Sequence, residues 1–221
     1  MERHNTMAQK SGISRRRAAA LSDGGAEYAA KRNELIRVAA NLFKDRGYRS
    51  TSLNDVAQVA GLDRATVYYY VGSKEELFRE AVQGLLDDNV TRAEQLVRAK
   101  LPAREKLEKI IELLVFSYDK NYPYAQVYIQ QDMQKVADAS TSWAKEMSLQ
   151  THRFEKAVLS IIQEGVKSGA FRADVPVDLI ANTVFGVVNW THRWYKPGGK
   201  HTPQAVADAF CKLVLDGLVK Q

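Results

Sequence analysis

"GLDRATVYYYVGSKEELF", residues 61–78, is the stretch on which the reading of this 221-residue chain turns. Gly61 stands where a helix needs a left-handed residue to stop, and Asp63 stands where a carboxylate can cap the first free N–H groups of the next helix. A short helix from Arg64 to about Tyr70 follows, roughly 10 Å long at the usual rise. Successive helical residues point about a hundred degrees apart, so Tyr68, Tyr69 and Tyr70 cannot share one environment. Val67 and Val71, with Leu62, should face inward. Tyr69 falls on the face of Ala65 and Thr66, which Arg64 borders. The outward surface is then arginine, small residues and phenols. It reads either as an amphipathic aromatic rim or as a surface whose hydroxyls hydrogen-bond phosphate oxygens.

Upstream, Ser52 and Asp55 have the spacing of a capping box ahead of an apolar face formed by Leu53, Val56, Ala57 and Ala60. Before that, from Lys31, the stripe Leu35, Ile36, Ala39, Ala40, Leu42 and Phe43 has helical period, and Gly47 closes it. Alanines at 57, 60 and 65 allow close helix crossing. Three short helices with a tight turn at Gly61 make a helix-turn-helix whose third helix is short but presents its first turns to a major groove.

The segments "LIRVAANLFKDRGY", "TSLNDVAQVAGL" and "TVYYYVGSKEEL", in this order, resemble the DNA-binding domain of the TetR family of bacterial transcriptional regulators. The resemblance spans some forty residues, from Leu35 to Leu77. It implies phosphate contacts from Thr51, Ser52, Tyr68, Tyr70 and Lys74, and base contacts from Arg64, Ala65, Thr66 and Tyr69. Arg64 would reach a guanine edge, and Ala65 or the Thr66 methyl a thymine methyl. Asp63, where serine or threonine is usual, and Val71, where phenylalanine is usual, depart from the pattern. A carboxylate at 63 would cost DNA affinity unless it turns onto its own helix.

After residue 77 the pattern is helical to the end, so the expected class is all-α, with a helix-turn-helix domain at 31–77 and a larger helical effector-binding and dimerisation domain at 78–221. Ser73 and Glu76 cap a long fourth helix that begins at the lysine-bearing loop, with no linker between the domains. "LP" at 101–102 ends it. A fifth helix carries Leu107, Ile110, Ile111, Leu114 and Val115; a sixth is expected from Tyr124 to Ala137, a seventh over 141–168, an eighth after Pro176 and a ninth from Pro203. The eighth has one stripe of Ile180, Val184, Val187, Thr191 and Trp194 and another of Ala181, Phe185, Val188, His192 and Tyr195. The ninth repeats the situation, with Val206, Phe210, Leu213 and Gly217 on one side and Ala207, Cys211, Val214 and Leu218 on the other. Two apolar faces need two partners, which predicts a homodimer through these helices, as the resembled family's palindromic operators also require.

Two aromatic groups stand out in the second domain. Phe116, Tyr118, Tyr122, Tyr124 and Tyr128 fall around the fifth and sixth helices, and Trp190, His192, Arg193, Trp194 and Tyr195 follow the eighth. Both groups suit either a core or a cavity for a small hydrophobic effector. Arg193, in an apolar setting, needs an anion or an aromatic face. "THRWYKPGG" followed by "LVLDGL" resembles the C-terminal region of TetR-type regulators of fatty-acid and sterol breakdown, which respond to acyl-coenzyme A thioesters. That likeness implies phosphate contacts from Arg193 and Lys196, and an acyl part near the tyrosines. A hydrophobic drug or aromatic metabolite is the other effector class.

The chain is 45% hydrophobic and 26% charged, with a net charge of +6. Residues 1–32 hold Arg3, Lys10, Arg15, Arg16, Arg17, Lys31 and Arg32 against Glu2, Asp23 and Glu27. Residues 1–30 therefore read as a disordered basic arm, either following a phosphate backbone or simply solvated. No apolar run is long enough for a membrane span, no secretory leader is apparent, and a cytoplasmic location is expected. The single cysteine, Cys211, excludes an internal disulfide. No paired histidine ligands, nucleophile elbow or phosphate loop occurs, so no enzyme, cofactor or metal is expected. A ligand-independent architectural DNA-binding protein is the remaining alternative, and it would spread its basic charge over the surface.

Overall fold

The computed structural model describes residues 25–130 and 142–218. Within them the regular elements are nine α-helices and one short 3-10 turn. The chain divides between Val82 and Gln83 into two compact units. Residues 1–24 of the expected arm, and 131–137 of the expected sixth helix, lie outside the described residues.

The first unit holds α1 (Ala26–Arg46), α2 (Leu53–Ala60), α3 (Arg64–Tyr70) and the opening turns of α4 (Lys74–Arg98). α1 begins five residues before the expected Lys31. Side chains counted with the basic arm hold this extra turn down: the Tyr28 ring lies 5.6 Å from Tyr69 and 5.0 Å from Tyr70. Arg32, only 7% exposed, donates to Glu76 at 2.7 Å, to Glu80 and to the Tyr70 carbonyl. Arg32 is thus an internal charge that ties α1 to the end of α3 and the start of α4.

The core of this unit is Leu35, Ala39, Phe43, Val56, Val67 and Val71 together with Leu77, Phe78 and Val82. Phe78 stacks within 6.3 Å of Phe43 and 5.1 Å of Tyr48. The division therefore falls after Val82 rather than after residue 77, because the first turns of α4 form a wall of the small core. Gly61 adopts φ 66°, ψ 30°, the left-handed cap that turns α2 into α3.

The second unit comprises the rest of α4, α5 (Ala103–Lys120), α6 (Tyr124–Gln130), α7 (Ser142–Lys167), α8 (Val177–Asn189), the 3-10 turn Trp190–Arg193 and α9 (Pro203–Leu218). Its core is aliphatic, centred on Leu107, Ile110, Ile111, Val158, Ile161, Ile162, Ile180, Val184 and Leu215. Lys106, 3% exposed, is fully occupied: its ammonium donates to Glu164 at 2.8 Å and to the Val97 carbonyl at 3.2 Å. At Gly165 the Phe171 ring lies where a Cβ would stand.

α8 packs against α5, α7 and α9. Both of its expected stripes therefore turn inward: Ile180, Ala181, Val184 and Val188 are buried. The outward stripe is a third one, Leu179, Thr183, Gly186 and Trp190, with Leu179 53% and Trp190 59% exposed. α9 divides likewise, with Val206, Ala207, Leu215 and Leu218 inward, and Ala205, Ala209, Leu213 and Gly217 outward at four-residue spacing. Leu213, expected to lie with Val206, is instead 77% exposed.

Cys211 is half-buried, with its thiol 3.8 Å from the Glu108 carbonyl. Burial, followed by the nearby Glu112, Glu108 and Asp208, pushes that thiol up to about 12.

Candidate nucleic-acid interface and inner cavity

Local hydrogen bonding sets the geometry of α2 and α3. The Ser52 hydroxyl accepts from the Asp55 N–H at 3.3 Å, while Asp55 Oδ2 accepts from the Ser52 N–H at 2.7 Å, so the capping box closes in both directions. Asp63 does the same work for α3, accepting from the Thr66 N–H at 2.9 Å and from its hydroxyl at 2.5 Å. The hydrogen bond from Thr66 holds the Asp63 carboxyl below its ordinary range. The departure from serine or threonine at 63 thus gives a carboxylate folded onto its own helix.

The residues expected to meet DNA separate by position. Arg64 and Ala65 are exposed, and Tyr69 is 36% exposed. Thr66, Tyr68 and Tyr70 are half-buried. Arg64 lies along Tyr68, donating to its hydroxyl at 3.4 Å with the guanidinium carbon 5.3 Å from the ring centre. Ser52 is exposed at the start of α2.

Thr51 differs from the expectation of a phosphate contact. It is 2% exposed, and its hydroxyl donates to the Gly47 carbonyl at 2.9 Å, so it closes the α1–α2 loop from inside. The Lys74 ammonium donates to the Tyr48 carbonyl at 2.8 Å and stands 4.4 Å from the Tyr48 ring centre. It holds its positive charge at the mouth of the same loop.

In the second unit the expected ligand residues do not gather at one place. A cavity of about 480 Å³ opens among α4, α5, α6, α7 and α8, with Leu86, Tyr128, Thr151, Phe154, Phe185 and Asn189 among its walls. A narrower inner lobe of about 70 Å³ adjoins it, sharing Leu86, Asn89, Leu114, Tyr128, Ile129 and Asn189, and ends at Ser117, Tyr118 and Thr191. Of the residues in the two aromatic groups, Tyr128 lines both lobes, with its hydroxyl 2.7 Å from that of Thr151, and Tyr118 lines the narrower one.

Phe116, Tyr122, Tyr124, Trp190, Arg193 and Trp194 are not among the residues lining either lobe. Phe116, 40% exposed, lines a surface groove between α4 and α5 beside Arg92 and Lys109. Tyr122 packs 6.1 Å from Tyr118, which in turn meets Tyr195 at 6.0 Å, and the Tyr195 hydroxyl donates to Asp119 at 2.6 Å. That group is a packed aromatic corner, and Tyr124 starts α6 beside it. Trp190 and Trp194 are 59% and 45% exposed. Arg193, also exposed, finds its aromatic face on Trp190, 5.4 Å from the ring centre. Trp190 and Arg193 continue the outward stripe of α8, and Trp194, expected on the inward stripe, follows the 3-10 turn Trp190–Arg193 and is exposed as well.

Sequence reasoning missed Arg32, Asn89, Thr151, Phe154 and Phe185. Arg32 was findable: it is three residues before Leu35 and seven before Ala39, in register with the inward stripe of α1. The cavity residues belong to separate helices, and no local pattern brings them together.

Residues 35–81 match the family described as bacterial regulatory proteins, tetR family, and residues 100–218 match the tetracyclin repressor-like C-terminal domain. The HTH-type transcriptional repressor KstR2 of Rhodococcus jostii (strain RHA1) is 31% identical over 188 residues, covering 85% of this chain and 91% of that protein. Among solved structures, the ketosteroid transcriptional regulator KstR2 of Mycobacterium tuberculosis superposes with a TM-score of 0.80 at 28% identity, covering 86% of this chain and 96% of that one. AibR, solved in complex with isovaleryl coenzyme A and operator DNA, gives a TM-score of 0.67 at 19% identity over 82% of this chain and 96% of its own, a likeness of fold. These relatives are transcriptional regulators rather than enzymes. A capped helix-turn-helix ahead of a helical domain of this kind, matched over most of its length, places the chain in the tetR family of bacterial regulatory proteins.

Proposed function

We propose that the protein is a cytoplasmic repressor that binds a palindromic operator as a homodimer and releases it when a small hydrophobic effector enters the cavity of the second unit. The observation that carries this reading is α4. One unbroken helix, Lys74–Arg98, starts with the lysine at the α1–α2 loop and the glutamates that hold Arg32, and further on supplies Leu86, Asn89 and Val90 to the cavity wall. A ligand that displaces this helix acts on the DNA-reading unit through the chain itself. The effect is bounded by its difference in affinity for the two states.

Base reading is assigned to Arg64, Ala65, Thr66 and Tyr69, and phosphate contact to Ser52, Tyr68, Tyr70 and Lys74. The outward stripes of α8 and α9 supply the apolar surface for a second copy. Repression follows the relative at 31% identity. An acyl-coenzyme A thioester fits this reading with its acyl part in the cavity, and with Arg193 and Lys196, both exposed, available to its phosphates.

The test is fluorescence anisotropy of labelled operator bound by the wild type and by Arg193→Ala, titrated with acyl-coenzyme A thioesters and with neutral hydrophobes. Release of the wild type by thioesters, with Arg193→Ala resistant, is the expected result. Release of both by neutral hydrophobes alone moves the effector to the drug or aromatic-metabolite class. No release by any compound removes the effector reading.

A further inference from the structure

The inner lobe of the cavity has two polar atoms whose chemistry is incomplete. Asn89, 8% exposed, and Tyr118, 3% exposed, both line it. The Asn89 Oδ1 and the Tyr118 hydroxyl are enclosed and find no hydrogen-bond partner among the described residues. Buried polar atoms are almost always paired, because leaving one unpaired forfeits its hydration with nothing in return. Neighbouring groups show the contrast: Tyr195 donates to Asp119, Thr191 to the Val188 carbonyl and Tyr128 pairs with Thr151. The lobe otherwise consists mostly of aliphatic side chains, among them Leu85, Leu86, Leu114 and Val188.

We infer that Asn89 and Tyr118 select the effector by reading an oxygen function, a hydroxyl or a carbonyl, on the end of its hydrophobic body that enters the inner lobe. This rests on the cavity being the effector site. Tyr118 is a donor there, since burial, and after it the neighbouring Tyr122 and Tyr195, push its phenol up and keep it protonated at neutral pH. Asn89 presents its carbonyl oxygen as an acceptor. A ligand carbonyl satisfies Tyr118 alone, whereas a ligand hydroxyl between the two satisfies both, accepting from Tyr118 and donating to Asn89. A hydrocarbon end satisfies neither. Such a pair rejects the oxygen-free analogue more strongly than a bare apolar pocket distinguishes ligands of similar size.

The probes are cyclododecane, cyclododecanone and cyclododecanol, which share one apolar body and differ only at the oxygen. Their affinities are measured by calorimetry on the full chain, for the wild type, Tyr118→Phe and Asn89→Leu. In the wild type the ketone should bind roughly fivefold to tenfold tighter than the hydrocarbon, and the alcohol tighter again by a similar factor. Tyr118→Phe should abolish the advantage of the ketone and leave the alcohol only the gain from its bond to Asn89, and Asn89→Leu should abolish only the extra gain of the alcohol. Neither variant should lower the melting temperature of the ligand-free protein, because each removes an unpaired buried atom.

Equal binding of the three probes to all three proteins overturns the inference and leaves the cavity as the effector site, with the polar atoms served by retained water. Binding of no probe to any protein overturns the cavity reading and the inference together. A melting temperature lowered by several degrees in Tyr118→Phe shows the hydroxyl to be paired within the fold, which also overturns the inference.

Discussion

Arg64 and Lys74 are both cations of the helix-turn-helix unit, yet they stand in different surroundings, and the roles proposed for them differ accordingly. Arg64 is exposed on the first turn of α3, steadied along Tyr68. A fork of donors held this way suits the O6 and N7 acceptors of guanine. Arg64→Ala is expected to cost about 1–3 kcal/mol on the operator and to relax the preference at one base pair of each half-site. Competition binding against operators substituted at single positions checks this, and equal loss on every sequence would reassign Arg64 to a phosphate. Lys74 sits over the Tyr48 ring and bonds the loop carbonyls, so it offers a charge with no base-reading geometry. Lys74→Ala should weaken all sequences alike and lower the slope of log affinity against log salt by about one. An unchanged slope would leave Lys74 as a clamp of the α1–α2 loop alone.

The helix ends show what the sequence discloses and what it withholds. The caps at Ser52, Asp55 and Asp63 were legible because their partners lie within three residues. They also carry a pH dependence. Asp55 is lowered by its hydrogen bond from Ser52, Asp63 by that from Thr66, and Asp174, paired with Arg172 at 2.6 Å, falls to about 2. A carboxylate whose folded value is depressed adds stability above its unfolded value, here 3.8, and loses it as pH falls through the folded one. Thermal stability should therefore hold from neutral pH down to about 4 and decline from there toward about 2, as scanning calorimetry in a pH series would record. Side chains with distant partners were not legible. Arg32 looks like one more charge of a basic segment until α4 brings Glu76 and Glu80 to it, and Thr51 looks like a surface hydroxyl until Gly47 folds over it. Phe116 and Tyr128 stand twelve residues apart in one aromatic-rich stretch, but α5 ends between them and they face different spaces. Close approach is equally invisible locally. Gly165 lies under Phe171, itself 1% exposed and without room to swing, so Gly165→Ala should destabilise by about 1–3 kcal/mol in urea denaturation. An unshifted midpoint would mean that the ring moves aside.

For the molecule as a whole, the surface that matters is the outward stripe of α8 and α9. Leu179, Trp190 and Leu213 would be a poor apolar face to leave in water, and the small residues Ala205, Ala209 and Gly217 beside Leu213 let another helix approach closely. Leu213→Arg is expected to convert a dimer into a monomer in sedimentation velocity and, with only one short recognition helix per particle, to lose operator binding. A dimer surviving this change would move the interface elsewhere. In the proposed dimer the two copies of α3 must stand about 34 Å apart, or a multiple of that, to enter successive major grooves on one side of a duplex. The half-buried environment of Cys211 makes that distance measurable without removing the native cysteine. A thiol pushed up to about 12 holds almost no thiolate at neutral pH, so it reacts slowly with maleimides and methanethiosulfonates. Gln58→Cys, on the exposed face of α2, would take a spin label in preference to the only native cysteine. Each dimer would then carry one matched pair of probes, whose separation reports the spacing of the two reading heads with and without effector.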